Sequence, residues 1–132
     1  SFVTSQKAAA VLTKHRADAD FKETIEALTR VVRLAKKAPD FAADAKVDAS
    51  LFENESEVAL QAAVAQVKEQ FSADVAADYE LLRKLRQPIS TYFDQTMVMA
   101  KDEAIKNNRL LQLSQLADLT TIFGQLDKLN VK

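Results

Sequence analysis

Apolar positions recur along this chain with a helical step almost from end to end. Phe21, Ile25, Leu28, Val32 and Ala35 follow i, i+4, i+7, i+11 and i+14, which lays one buried stripe along a helix. Asp20 stands at its N-cap position with Glu23 three residues later, the capping-box spacing, and Lys36, Lys37 and Pro39 mark its end. A preceding helix is predicted from about Thr4 to Arg16, closed by the ADAD step at 17–20. Residues 38–53 lose helical phase and read as a loop, with Leu51 and Phe52 tucked back onto the core. Asn54 and Glu57 repeat the capping pattern and open a third helix through about Gln70; an FSAD joint leads to a fourth, from about Val75 to Gln87. Pro88 interrupts, yet Leu82, Leu85, Ile89 and Phe93 keep a helical spacing across it. Either the helix kinks, or a fifth starts with Pro88 at its first position, where the missing N–H does no harm. The last helix is expected from about Asp102 to Phe123, with an apolar stripe of Leu113, Leu116, Ala117, Leu119, Ile122 and Phe123, and Gly124 ending it. The expected fold is all-α, a single domain over residues 1–132 built as an antiparallel bundle of about six helices.

Composition supports that reading and removes several function classes. One glycine and two prolines in 132 residues are too few for the turns of a sheet protein. With no cysteine there is no disulfide framework, thiol chemistry or Cys-based metal site. No apolar run approaches the ~18 residues of a membrane span. The chain opens Ser1-Phe2-Val3 without an initiator Met, so a processed chain or a piece of a longer one is expected. The net charge of −1 argues against an indiscriminate nucleic-acid binder, but the charge is unevenly spread. Lys22 to Lys37 holds five cations and two acids, Asp40 to Glu80 two cations and ten acids, and Leu81 to Leu110 six cations and three acids. Two basic islands flank an acidic segment.

Candidate chemistry is sparse. There is no glycine-rich phosphate loop. His15, the single histidine, has no nucleophile or metal partner nearby in sequence and is expected to be an exposed helix residue, and Glu23 and Glu57 read as caps rather than acid–base groups. No catalytic residue and no metal ligand is assigned. Met97 and Met99 are expected to fill the core rather than line an adaptable groove. Arg30, Arg33 and Lys37 share one helix face opposite the apolar stripe. Arg33 and Lys37 could simply complement the helix C-terminus while Arg30 pairs with Glu26, or the face could follow a nucleic-acid backbone.

The stretch YFDQTMVMAKDEAIKNNRLLQL, residues 92–113, resembles the closing signature of the bacterial glycyl-tRNA synthetase beta subunit family, approximately Phe-Phe-Asp-x-Val-Met-Val-Met, an acidic step, then Arg/Lys-x-Asn-Arg-Leu. Tyr92, Phe93, Asp94, Met97, Val98, Met99, Asp102, Lys106, Asn108, Arg109 and Leu110 fall in register. TRVVRL at 29–34 and VDASLFENESEVAL at 47–60 are similar to further family segments, and the resemblance covers about residues 5 to 125. Arg33 stands where the family has Asn, Tyr92 where it has Phe, and Thr96 where it has Val.

The resemblance implies the C-terminal, all-helical anticodon-binding region of a larger cytoplasmic subunit, similar in fold to that of arginyl-tRNA synthetase. Its parent would pair with an alpha subunit and attach glycine to tRNA-Gly using ATP and magnesium, with that chemistry and its cofactors outside this chain. The expected partner is the anticodon arm, with neither membrane nor DNA. Arg30, Arg33, Lys36 and Lys37 are the first candidates for RNA contact, followed by Arg83, Arg86 and Lys106. Asp94 and Arg109 are expected to tie two helices across the corner as a partly buried ion pair. The competing reading is a helical scaffold or subunit-contact domain with little RNA contact, which the modest net charge favours.

Overall fold

A computed structural model describes residues 2–124; Gln125, at the end of the resemblance, lies outside the described residues. Six α-helices form: α1 (Phe2–His15), α2 (Phe21–Ala35), α3 (Glu55–Gln70), α4 (Val75–Arg83), α5 (Arg86–Gln95) and α6 (Glu103–Leu119), with 3-10 turns at Ala49–Leu51 and Thr121–Phe123. No strand occurs among the described residues, so the fold is all-α.

Local chemistry starts three of these helices. The side chains of Asn54, Asp74 and Asp102 accept backbone N–H bonds from Glu57, Ala76 and Ile105, capping α3, α4 and α6. α2 is an exception. Asp20 occupies the N-cap position, but its side chain makes no cap bond and accepts instead from Arg83. Its carbonyl takes the Thr24 hydroxyl, and Glu23 stays exposed, so no capping box forms.

The proline region resolves as two helices. α4 stops at Arg83, earlier than the expected Gln87, and Pro88 is the third residue of α5. Its absent N–H is one of the first-turn donors that a helix leaves unpaired in any case. The buried face continues through Leu82, Leu85 and Ile89, then passes to Tyr92 rather than Phe93, which is only half-buried.

α2 packs against α6 and α5, α3 against α5 and α6, and α1 against α4 and the final 3-10 turn. On α2 the innermost position is Val31, fully enclosed, whereas the expected Val32 and Ala35 are half-buried at the stripe's edge. α6 is the central helix, buried without a break from Asn108 to Leu113. Such a helix has no wholly polar face, and the polar residues in this run, Asn108, Arg109 and Gln112, all find partners across the domain.

Two predictions arise here. The Tyr92 hydroxyl is buried with no hydrogen-bond partner among the described residues, and burial pushes its pKa well above the ordinary tyrosine value. Tyr92→Phe should therefore leave stability unchanged or raise it by up to about 1 kcal/mol, since an unsatisfied buried hydroxyl is costly. A drop in the urea midpoint would contradict this. Ala73, in the joint before α4, has φ +68°, a left-handed conformation that disfavours a Cβ. Relief of roughly 1–2 kcal/mol of strain, less the backbone entropy lost by glycine, makes Ala73→Gly stabilising by under about 1 kcal/mol. A melting temperature unchanged or lowered would refute that.

Candidate nucleic-acid interface

The exposed face of α2 carries Arg30 and Arg33, with Lys36 at its C-cap and Lys37 next in the chain. α2 lies on α5, and this docking sets the Arg30 guanidinium 4.1 Å from the centre of the Phe93 ring. That stacking holds a planar cation at the surface. Glu26 does not take Arg30; it lies 3.9 Å from Lys22 instead.

Beyond Arg30, the C-terminal end of α2 borders two adjoining grooves against α6. One, of about 340 Å³, is lined by Val32, Ala35, Lys36 and residues of α6 including Ser114, Ala117 and Asp118. The other, of about 560 Å³, lies between the loop at 38–45 and α6, and shares Ala35, Ser114 and Asp118. Gln115 pins that loop by donating to the Ala45 carbonyl at 3.2 Å. Cations therefore stand beside recesses that offer small apolar walls, a carboxylate and hydroxyls.

Arg83, Arg86 and Lys106 have a different environment. Arg83 Nε donates to Asp20 at 2.8 Å, and its other nitrogens lie 3.7 Å from Asp18 and 3.4 Å from Glu80. Arg86 approaches Asp20 at 3.4 Å and donates to the Arg83 carbonyl at 2.8 Å. His15 belongs to the same cluster, half-buried against the Tyr79 ring rather than exposed as expected, with Nδ1 2.6 Å from Asp18 and Nε2 3.4 Å from Glu80. This cluster locks the α1–α2 turn to α4. Lys106 pairs with Glu103 at 3.1 Å. These three cations are thus engaged by carboxylates within the domain.

The cluster has a pH signature. The hydrogen bond from Arg83 holds the Asp20 carboxyl below its ordinary value of 3.8, with burial opposing the shift. A lowered folded-state value means that this contribution is present above 3.8 and is lost as the pH falls through it. Arg83→Gln should flatten the acid limb of the stability curve below pH 3.8 relative to the parent. Equal acid limbs would disconnect the pair from stability.

The corner between α5 and α6 differs from expectation. Asp94 is exposed and makes no ion pair among the described residues. Arg109 meets Glu57 instead, at 3.2 and 3.1 Å, with Glu53 at 3.0 Å and the Met97 carbonyl at 2.8 Å. Glu57 is fully buried and accepts the Glu53 N–H at 2.9 Å, so it is both part of the α3 start and an ion-pair partner. Burial would lower the Arg109 pKa, but the hydrogen bond and charge of Glu57 outweigh it and hold the group above its ordinary value. Asn54 joins in, accepting from the hydroxyls of Ser56 and Thr96. Met97 and Met99 do not fill the corner: both are exposed, and Val98 between them is buried. The missed partner, Glu57, carried only a capping signal in the sequence; the contact of Phe93 with Arg30 carried none.

Among the described residues no group of three or more His, Asp or Glu is placed to hold a metal, and no helix is long and apolar enough to cross a membrane. No step through magnesium or ATP is assigned to this chain.

Comparison with known proteins agrees with the domain type. The sequence model of the DALR anticodon binding domain matches residues 24–124. The glycine–tRNA ligase beta subunit of Ligilactobacillus salivarius is 52% identical over 132 residues, covering 99% of this chain and 19% of the relative. That of Levilactobacillus brevis is 51% identical over 125 residues, covering 95% and 18%, and that of Lactiplantibacillus plantarum 45% over 128 residues, covering 96% and 18%. The chain spans about a fifth of the length of these curated relatives. With a helical core, a capped and internally braced corner, and a family match over most of its length, the chain belongs to the DALR anticodon-binding domain family.

Proposed function

We propose that this chain is the tRNA-contacting, C-terminal module of a glycine–tRNA ligase beta subunit, and that it holds the anticodon arm of tRNA-Gly against the exposed end of α2. The family match over residues 24–124 carries this reading. Arg30, Arg33, Lys36 and Lys37 supply cations for loop phosphates, and the grooves beside α6 receive unstacked bases, with Asp118 and Ser114 facing base edges. Glycine activation with ATP and magnesium belongs to the rest of a cytoplasmic parent that works with an alpha subunit; this chain contributes binding and orientation. Arg83, Arg86 and Lys106 are secondary candidates, since they line neither groove beside α6.

Binding measured against salt for tRNA-Gly, a non-cognate tRNA and an anticodon-altered tRNA-Gly tests the proposal. The expected result is cognate preference that disappears with the anticodon change. The scaffold reading draws on the net charge of −1 and on the internal pairing of Arg83, Arg86 and Arg109. Absence of RNA binding at low salt would establish it over ours.

A further inference from the structure

Among the described residues only three large apolar side chains are exposed: Val58, Met97 at 72% and Met99 at 44%. The two methionines are two positions apart in one non-helical segment, where Thr96 and Val98 are buried and Met97 and Met99 exposed. Isolated exposed apolar residues are ordinary. What sets these apart is how firmly their segment is held. Arg109 donates to the Met97 carbonyl at 2.8 Å, Asn54 Nδ2 to the Gln95 carbonyl at 3.4 Å, and the Thr96 and Ser56 hydroxyls lie 2.8 Å apart. Buried ion pairs are weak devices for stability because desolvation offsets much of their attraction. Here one fixes the backbone that presents two uncovered side chains.

The surrounding charge discriminates between occupants. Glu53 shares the Arg109 guanidinium with the Met97 carbonyl, Asp94 precedes the segment and Glu103 follows it, all three exposed. Lys101 is the counter-charge within the segment, and Lys106 is taken by Glu103. Carboxylates at this rim repel RNA phosphates and suit a polypeptide surface that is apolar at its centre and basic around it. The relatives are about five times longer than this chain, so such a surface is available within one polypeptide. We infer that Met97 and Met99 form the docking face of this domain on the remainder of its own beta subunit. This inference rests on the chain being a module of that subunit, but not on its binding RNA.

The two methionines are the only ones in the chain, which makes peroxide footprinting direct. Sulfoxide formation depends on access to the sulfur. The full-length beta subunit, alone, is treated with peroxide, and peptides carrying Met97 and Met99 are followed by mass spectrometry, with the denaturant-unfolded subunit as reference. The expected result is oxidation of both slowed several-fold or more. Oxidation of Met97 at the unfolded rate would overturn the inference. Protection arising only on addition of the alpha subunit, or only on addition of tRNA-Gly, would also overturn it by naming another occupant. In a second arm, Met97→Lys/Met99→Lys places like charge against a basic surface and should speed proteolytic release of the domain; unchanged release would count against the inference. The tRNA affinity of the same samples is read separately, so failure of the RNA reading leaves the footprint standing and the reverse also holds.

Discussion

Arg109→Ala should lower the unfolding free energy by about 3–5 kcal/mol, the range for removing one partner of a buried ion pair. Arg109 is 4% exposed and Glu57 0%. Without the guanidinium, the Glu57 carboxylate keeps only the Glu53 N–H, and the Met97 carbonyl and Glu53 lose their shared donor. Glu57→Gln should cost less, because the amide oxygen still accepts from Arg109 while the charge is lost. Glu57→Leu/Arg109→Met should recover much of the loss, since neither charge is then left buried. Asp94→Ala, at an exposed site without an ion pair, should fall within about 0.5 kcal/mol of the parent. Urea titration of these variants, together with Glu57→Leu and Arg109→Met as the matching single substitutions, decides the matter. Strictly additive losses at positions 57 and 109 would mean that the two residues do not interact.

Arg30→Glu/Arg33→Glu should weaken tRNA-Gly binding by about tenfold or more at physiological salt and reduce the slope of log affinity against log salt by roughly 1–2, through fewer released counterions. The substitutions leave Phe21, Ile25, Leu28 and Val31 in the core. Arg30 also loses its stacking on Phe93, so Phe93→Ala provides an intermediate case in which the charge stays but its support is gone. Lys7→Glu/Lys14→Glu, on α1, controls for general charge. Glutamate near the end of α2 opposes the helix dipole by about 0.3–1 kcal/mol, so folding must be verified by circular dichroism. In the reconstituted ligase the defect should appear mainly in the KM for tRNA. A folded double variant that binds and charges tRNA like the parent would give the scaffold reading the lead.

The helices were legible because periodicity and caps are local. Asn54 marks a start that the backbone confirms, and Leu82, Leu85 and Ile89 predict a continuous buried face across the proline. Legibility failed where a side chain had two possible partners. Asp20 was compatible with its own N-cap and with an arginine 63 residues away, and the arginine won because it brings a full opposite charge where a cap brings only a backbone dipole. Asp94 and Glu57 were both available to Arg109; only the three-dimensional course of α3 decides between them. The methionines were misplaced because apolar spacing cannot show that α5 ends at Gln95 and that a non-helical segment follows. The basic end of α2 was visible in the sequence, while its neighbouring grooves depend on α6 and the loop at 38–45.

The polar ties that close this domain join residues far apart in the chain: 52 positions for Glu57 and Arg109, 60 for Asp48 and Asn108, and 70 for Ala45 and Gln115. All three have their second partner on α6. On a ribosome extending the chain at ~5–20 residues per second, Glu57 is made roughly 3–10 s before Arg109. During that interval α3 exists without the cation that its buried carboxylate requires, and α2 without the helix that covers its stripe. The N-terminal helices must therefore wait as a loose, solvated assembly until α6 leaves the exit tunnel, and a stalled or prematurely ended chain lacking α6 would be a substrate for chaperones and proteases rather than a smaller folded protein.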